Sequence, residues 1–292
     1  MPPDWRRVLK INEMPRRFGP VTKRLYRVIA AMLLAVLLIL AGCAQAGKYE
    51  ELKEASPPED TVFQVSTINA LLQGLYDGEV TCGELKKHGD LGVGTFDGLD
   101  GEMIVVDGSI LQVKADGKVL AAPDGEKSPF AAVTFFRSDQ EQQVKELADY
   151  SQLQRLLDGL VVNRNVFYAI RIDGTFSYVK TRSVPEQEKP YPPLVEVTNN
   201  QPVFEMRNVR GTVVGFYCPP YVDGLNVPGY HLHFVTEDRR QGGHLLECSI
   251  QEGKVQMDET REFYLTLPAG SDFAMADLTT DRAEELKKAE SK

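Results

Sequence analysis

His231 and His233 stand two positions apart, and His244 follows a Gly-Gly pair, in a chain of 292 residues with a single further histidine, His88. This spacing limits what the segment can fold into. Alternate side chains of a strand share a face, so a strand here puts His231 and His233 on one side, about 6.6 Å apart along the backbone. Leu232 and Phe234 then face the other way, toward a core. The intervening "TEDRRQGG" is polar, and Gly242-Gly243 can take backbone shapes closed to other residues. A strand returning beside the first brings His244 to the same face, where three imidazoles can meet one metal ion. Three neutral imidazoles without a thiolate are a catalytic zinc set that leaves a coordination position open. His-x-His alone is a weak pattern, and a solitary buried histidine is usually structural. The third histidine behind the glycine pair is what favours the metal reading. His88, in "KKHGD", has no such company and reads as structural.

Much of the remaining chain reads as β. "GEMIVVDGSILQVKADGKVLAAP" sets Asp-Gly pairs at 107–108 and 116–117 between apolar or alternating runs, a strong local signal for hairpins. "PFAAVTFF", 129–136, reads as a buried strand, and 165–184 as a hairpin turning at Asp173-Gly174. Helices are expected over "STINALLQGLYDG", ended by Asp77-Gly78, over 139–160, and in the polar tail, where Asp281 or Thr280 supplies the N-cap. "PEQEKPYPP", 185–193, is the best internal boundary, with a second set of strands beyond it. The expectation is an α+β fold of two β-sheet-containing domains with flanking helices, over 61–189 and 190–292. The second carries the zinc site and ends in a helix.

The first 60 residues read differently. Val28 to Ala41 is fourteen residues without a charge, preceded by Arg16, Arg17, Lys23, Arg24 and Arg27. That run is short of the roughly 20 residues a membrane-spanning helix needs, and with its basic flank it reads as a secretory signal. It ends in Leu40-Ala41-Gly42-Cys43, which resembles the bacterial lipobox, after which the cysteine is lipidated. Residues 1–42 are thus expected to be removed, Cys43 to carry the lipid and 43–60 to serve as a tether, placing the protein outside the cytoplasm, anchored to a membrane. An ordinary signal peptide cut near Ala44 to Gly47 is the alternative. Removing 1–42 leaves 25 basic against 40 acidic side chains, a balance of −15. A body this acidic is a poor partner for nucleic acid. Cys82, Cys218 and Cys248 then remain, an odd set at irregular spacing, read as one bridge or as buried free thiols.

Three stretches carry a family resemblance: "QVSTINALLQGLYDGEVTCGELKKHGDLGVGTFDGLDGEMIVVDG" at 64–108, "RSVPEQEKPYPPLVEVTNNQP" at 182–202, and "VPGYHLHFVTEDRRQGGHLLE" around the histidines. They are similar, in order and spacing, to α-acetolactate decarboxylase, over most of residues 62–267. The resemblance implies that His231, His233 and His244 bind Zn2+. It implies that Glu102 and Arg182 are active-site residues, that Thr95 lines the pocket and that a glutamate of the tail returns to the metal. Glu290 is the choice for that glutamate, with Glu284 and Glu285 as rivals. The implied reaction is decarboxylation of acetolactate to acetoin and CO2 by a homodimer. In it zinc stabilises the enolate as a Lewis acid, Arg182 binds the departing carboxylate or the enolate, and Glu102, Glu290 or a water they hold returns a proton.

Two other classes compete. "HLHFVTE" is also His-x-His-x-x-x-Glu, the spacing of a first cupin motif, in which Glu237 would be a fourth ligand of iron or manganese in an oxygenase. A lipid-anchored receptor for zinc or a solute would bind its ligand and release no product.

Overall fold

The computed structural model describes residues 60–290, together with Met32. Cys43 and the rest of the expected signal and tether before Asp60 lie outside the described residues. The described residues 60–290 belong to one compact unit built on two main sheets. Among the described residues no helix is long and apolar enough to cross a membrane.

The larger sheet has seven strands in the order β14 (Glu262–Thr266), β1 (Thr61–Val65), β8 (Ala131–Thr134), β3 (Leu91–Thr95), β4 (Glu102–Val106), β5 (Ser109–Val113) and β6 (Val119–Ala121). Asp107-Gly108 turns β4 into β5, and Asp116-Gly117 turns β5 into β6, as the Asp-Gly signals predict. A short ribbon pairs β2 (Val80–Thr81) with β7 (Lys127–Ser128). The second sheet holds β9 (Gln140–Leu147), β10 (Phe167–Arg182), β11 (Val203–Cys218), β12 (Gly229–Thr236) and β13 (Gly242–Thr260). Here β10 pairs with β11, β11 with β12, β12 with β13 and β13 with β10, so four strands form a hydrogen-bonded circuit to which β9 adds on β13.

The strands do not segregate at residue 190. β14 completes the first sheet by lying parallel to β1, and β9 and β10 belong to the second. Pairings this remote in sequence leave no local trace. The two sheets pack through Val62, Val93, Ile104 and Val113 on one side and Ala169, Val214, Phe216 and Val235 on the other.

Three local expectations are corrected. Residues 139–160 are not one helix. Gln140–Leu147 is a polar strand on β13, and the helix is Tyr150–Leu160, whose first turn Asp149 caps by accepting the Gln152 amide at 2.8 Å. Leu153 and Leu157, one turn apart, are fully buried, and burial of such a side chain stabilises by roughly 1.5–3 kcal/mol. Asp173-Gly174 is no turn either: it lies inside the sixteen-residue β10, with Gly174 opposite Gly211 and Gly253. The Asp173 carboxylate accepts from Arg171 Nε and Thr212 Oγ1 instead of from its own turn. The first helix covers only Ile68–Leu72 and ends before Gly74, whose φ is +86°, ahead of Asp77-Gly78. At the other end Ala283–Glu290 is helical, and Asp281 accepts the Ala283 amide. Cys82, Cys218 and Cys248 are buried free thiols.

Candidate active site

One row of residues across three neighbouring strands organises the site. His233 on β12 is the register partner of His244 on β13, and His244 is the register partner of Arg182 on β10. Gly243 lets β13 come this close: its φ is +132°, and a Cβ there would sit 2.2 Å from the Arg182 carbonyl oxygen. Leu232 and Phe234 point into the second sheet's own core, as strand alternation predicts, and leave His231 and His233 facing the first sheet.

The three imidazoles are buried and each offers a nitrogen within 4.8 Å of the others. Their ring centroids form a near-equilateral triangle with sides of 5.1, 5.1 and 5.2 Å. His233 Nδ1 lies 2.8 Å from the Met103 carbonyl. A carbonyl only accepts, so that nitrogen carries the proton and Nε2 turns its lone pair toward His231 Nε2, 3.2 Å away. His244 Nδ1 is buried with no hydrogen-bond partner. Burial lowers the pKa of all three, and the Arg182 charge lowers them further; for His231 the Glu290 carboxylate opposes the shift. Three buried imidazoles whose nitrogens converge are the donor set a divalent transition metal takes.

A carboxylate cluster closes around them. Glu102, first residue of β4, places Oε2 3.6 Å from His233 Nε2 and accepts from Arg182 Nη1 at 2.6 Å through Oε1. The C-terminal helix brings Glu290 Oε2 to 3.5 Å from His244 Nε2 and 3.9 Å from His231 Nε2. Glu290 Oε1 is 3.8 Å from Arg182 Nη2, which also donates to the Ala289 carbonyl at 3.4 Å. Burial pushes the Glu102 carboxyl up to about 7; Arg182 opposes this and Glu290 reinforces it. Thr95 pairs in register with Glu102, and its hydroxyl donates to the Gly101 carbonyl at 2.7 Å.

Thr95, Glu102, Arg182, His231 and Glu290 all line one small cavity of about 30 Å³. Its opposite wall is apolar, with Ile68, Leu71, Leu99, Phe130, Val184 and Leu194. Beyond His244 and Glu290 lies a more open pocket of about 630 Å³, bordered by Tyr150, Tyr230 and Leu286. The structure thus brings together every residue placed at the site from the sequence. The rival carboxylates do not reach it: Glu285 pairs with Arg282, and neither it nor Glu284 lines the cavity. Glu237 sits in the exposed turn after β12, 3.4 Å from Arg210 Nε, so the cupin reading lacks its fourth ligand.

The model of the α-acetolactate decarboxylase family matches residues 62–280. The chain belongs to the α-acetolactate decarboxylase family. The α-acetolactate decarboxylase of Methanosarcina mazei is 49% identical over 231 residues, which cover 79% of this chain and 80% of that protein. That of Bacillus subtilis is 41% identical, over 80% of this chain and 92% of its own. The crystal structure of α-acetolactate decarboxylase from Bacillus subtilis strain 168 superposes with a TM-score of 0.78 at 40% identity, over 80% of this chain and all of that one.

Two groups of the site were not singled out from the sequence. The Met103 carbonyl under His233 is a backbone atom, and no side-chain pattern marks it. The apolar wall looks like ordinary core in the sequence, and only its position opposite Glu102 and Arg182 distinguishes it.

Proposed function

We propose that the protein is a zinc enzyme that decarboxylates 2-acetolactate to acetoin and CO2, a carboxy-lyase, exported and held to a membrane by lipid on Cys43. The observation that carries the catalytic reading is the convergence of three buried imidazoles beside the Arg182–Glu102 pair, at a cavity that His231, Glu102 and Arg182 line. Family membership supports it.

His231, His233, His244 and Glu290 would hold the ion. Zinc so held supplies Lewis acidity toward the oxygens of a keto acid. The chain's own groups do the rest. Arg182 presents a planar fork to the substrate carboxylate or to the enolate oxygen that develops as CO2 leaves. The bond from C2 to the carboxylate breaks, and its electron pair passes into the neighbouring ketone as an enolate. One proton must then reach C2, so that anionic acetolactate plus a proton gives acetoin plus CO2. Glu102, within reach of Arg182 and His233 and with its carboxyl raised by burial, is placed to return such a proton. The apolar side chains beside these groups lower the local dielectric, which strengthens the charge interactions there.

Export and lipidation rest on the leader sequence. The exposed Tyr264 on the outer edge strand β14, with Leu267 just beyond it, supports the homodimer the family implies. Incubating purified protein with racemic acetolactate and assaying acetoin and CO2 tests the activity. Reversible binding without product would leave a receptor instead, and full activity after complete zinc removal would sink the metal reading. Mass spectrometry of the mature N-terminus tests the anchor, with an unmodified or absent Cys43 as the contrary result.

A further inference from the structure

The catalytic carboxylate begins a strand that leaves a strained turn. Gly98, Leu99 and Gly101 have φ of +65, +58 and +89°. Leu99 carries a side chain in a region that disfavours one. Gly101 has no room for a side chain, since a Cβ there would lie 2.3 Å from the Val113 carbonyl oxygen. Such a backbone persists only where its surroundings over-determine it.

The surroundings here are specific. Gln112 Nε2 donates to the Asp100 carbonyl at 2.6 Å and to its carboxylate at 3.1 Å. The Lys114 ammonium pairs with the same carboxylate. The Gln187 amide donates to the Gly98 carbonyl at 2.7 Å, and Thr95 fastens Gly101. Asp100, Gln112 and Lys114 do not line the cavity. Yet the turn they hold delivers four groups to it or to its edge. Leu99 and Glu102 are in its wall, Thr95 is tied to it, and the next residue, Met103, offers the carbonyl that orients His233.

We propose that Asp100, gripped by Gln112 and Lys114, is a positioning residue that fixes the start of β4, so that the Glu102 carboxylate reaches Arg182 while the Met103 carbonyl reaches His233. A slip of the turn would move both contacts together. The Asp100–Lys114 pair is partly exposed, and such pairs add little to stability, so its loss should relax the turn and leave the fold standing. The kinetic consequence rests on the decarboxylase reading; the consequence for His233 does not.

The test compares Asp100→Ala, Lys114→Met and Lys114→Arg in the full zinc-loaded protein. Asp149→Ala, which removes the cap of the distant helix Tyr150–Leu160, serves as a control for stability. Asp100→Ala and Lys114→Met should lower kcat for acetoin by about tenfold or more with KM within about twofold, as small misplacements of reacting groups do. They should also release zinc to a chelator about tenfold faster, because the tie that orients His233 is loosened. Lys114→Arg should restore both values. Values within about twofold of the parent for kcat and zinc release overturn the proposal, as does an equal fall in kcat for Asp149→Ala at equal loss of Tm. Should Asp100→Ala not fold, Lys114→Met decides alone. If the parent protein makes no acetoin, the decarboxylase reading falls, and zinc release alone then decides the clamp: faster release supports it and unchanged release refutes it.

Discussion

Glu102 and Arg182, 80 residues apart in the chain, meet at 2.6 Å as an ion pair with only 7% and 5% of their side chains exposed. Neither charge has water to fall back on. Removing one partner of such a pair costs about 3–5 kcal/mol, because the other is left buried and uncompensated. Arg182→Ala should therefore lose stability on that scale in urea denaturation. On the decarboxylase reading its kcat/KM should fall by about 10²–10³, as the site loses a donor to the developing charge. Glu102→Gln keeps an acceptor for Arg182 and removes the acid. It should lose part of that stability, with Glu290 still 3.8 Å from the guanidinium, and should lose activity; turnover unchanged in either variant would remove that residue from the reaction.

On the zinc reading His233 has two duties, a lone pair for the metal and an Nδ1–H for the Met103 carbonyl. His233→Ala removes both and should abolish zinc retention after dialysis. His233→Asn offers a shorter donor toward Met103 but no imidazole, and should still lose the metal while recovering part of the lost Tm. Zinc content at the parent level in His233→Ala, read by elemental analysis, would mean that the ion sits elsewhere.

What could be read from the sequence was local. Strand alternation fixes the shared face of His231 and His233, and a glycine pair before His244 permits the close return of β13. The same local logic misled at Asp173-Gly174, where a turn dipeptide runs straight through β10 because Arg171 and Thr212 satisfy the aspartate. It also misled at Gln140–Leu147, whose lone buried valine gives helix and strand equal support until β13 lies beside it. Glu102, Arg182 and Glu290 carry no local signal, since they meet only after both sheets and the final helix are assembled. Their placement came through resemblance, and the fold brings all three to the same cavity.

Glu290 is held at the site by the last turn of the C-terminal helix, where Leu286 and Ala289 supply the buried contacts. Glu290→Ala should weaken zinc retention and lower kcat by roughly tenfold or more, in line with losses on removing a group beside a metal ligand. Glu285→Ala removes only a partly exposed pair with Arg282 and should stay within about 0.5 kcal/mol of the parent, with unchanged turnover. Parallel titration with a zinc indicator separates the two. Equal behaviour would show that the tail helix acts as a cover and that Glu290 has no role of its own.

Asp258 offers a pH test away from the metal. Burial, joined by Asp139, Asp60 and Asp90, raises its carboxyl to about 6, against the opposing hydrogen bond from the Arg137 amide. Its folded pKa therefore lies above its unfolded value. Between the two the folded protein holds the extra proton, so this residue's contribution becomes more unfavourable as pH rises, reaching its full penalty above about 6. The penalty is of the order of 3 kcal/mol. Asp258→Asn keeps an oxygen for Arg137 and discards the charge. Melting curves should show it more stable than the parent by about 6–12 °C at pH 8, with the gain nearly gone by pH 4. A gain that persists undiminished at pH 4 would point to packing, not titration.

The apolar wall opposite Glu102 and Arg182 should decide which keto acids react. Leu71, from the first helix, is 7% exposed and borders the cavity with Leu99 and Phe130. In a wall this tight a single additional methylene on the substrate must displace side chains, and one methylene is worth about 1–3 kcal/mol of discrimination. Leu71→Ala makes room on that side. It should raise kcat/KM for the homologue with ethyl in place of methyl at C2, relative to acetolactate, by about tenfold, even as the protein loses about 2–5 kcal/mol of stability. Measuring both substrates on one preparation cancels differences in folded fraction. An unchanged ratio would place the substrate's alkyl group against another part of the wall, with Val184 and Leu194 next to be cut back.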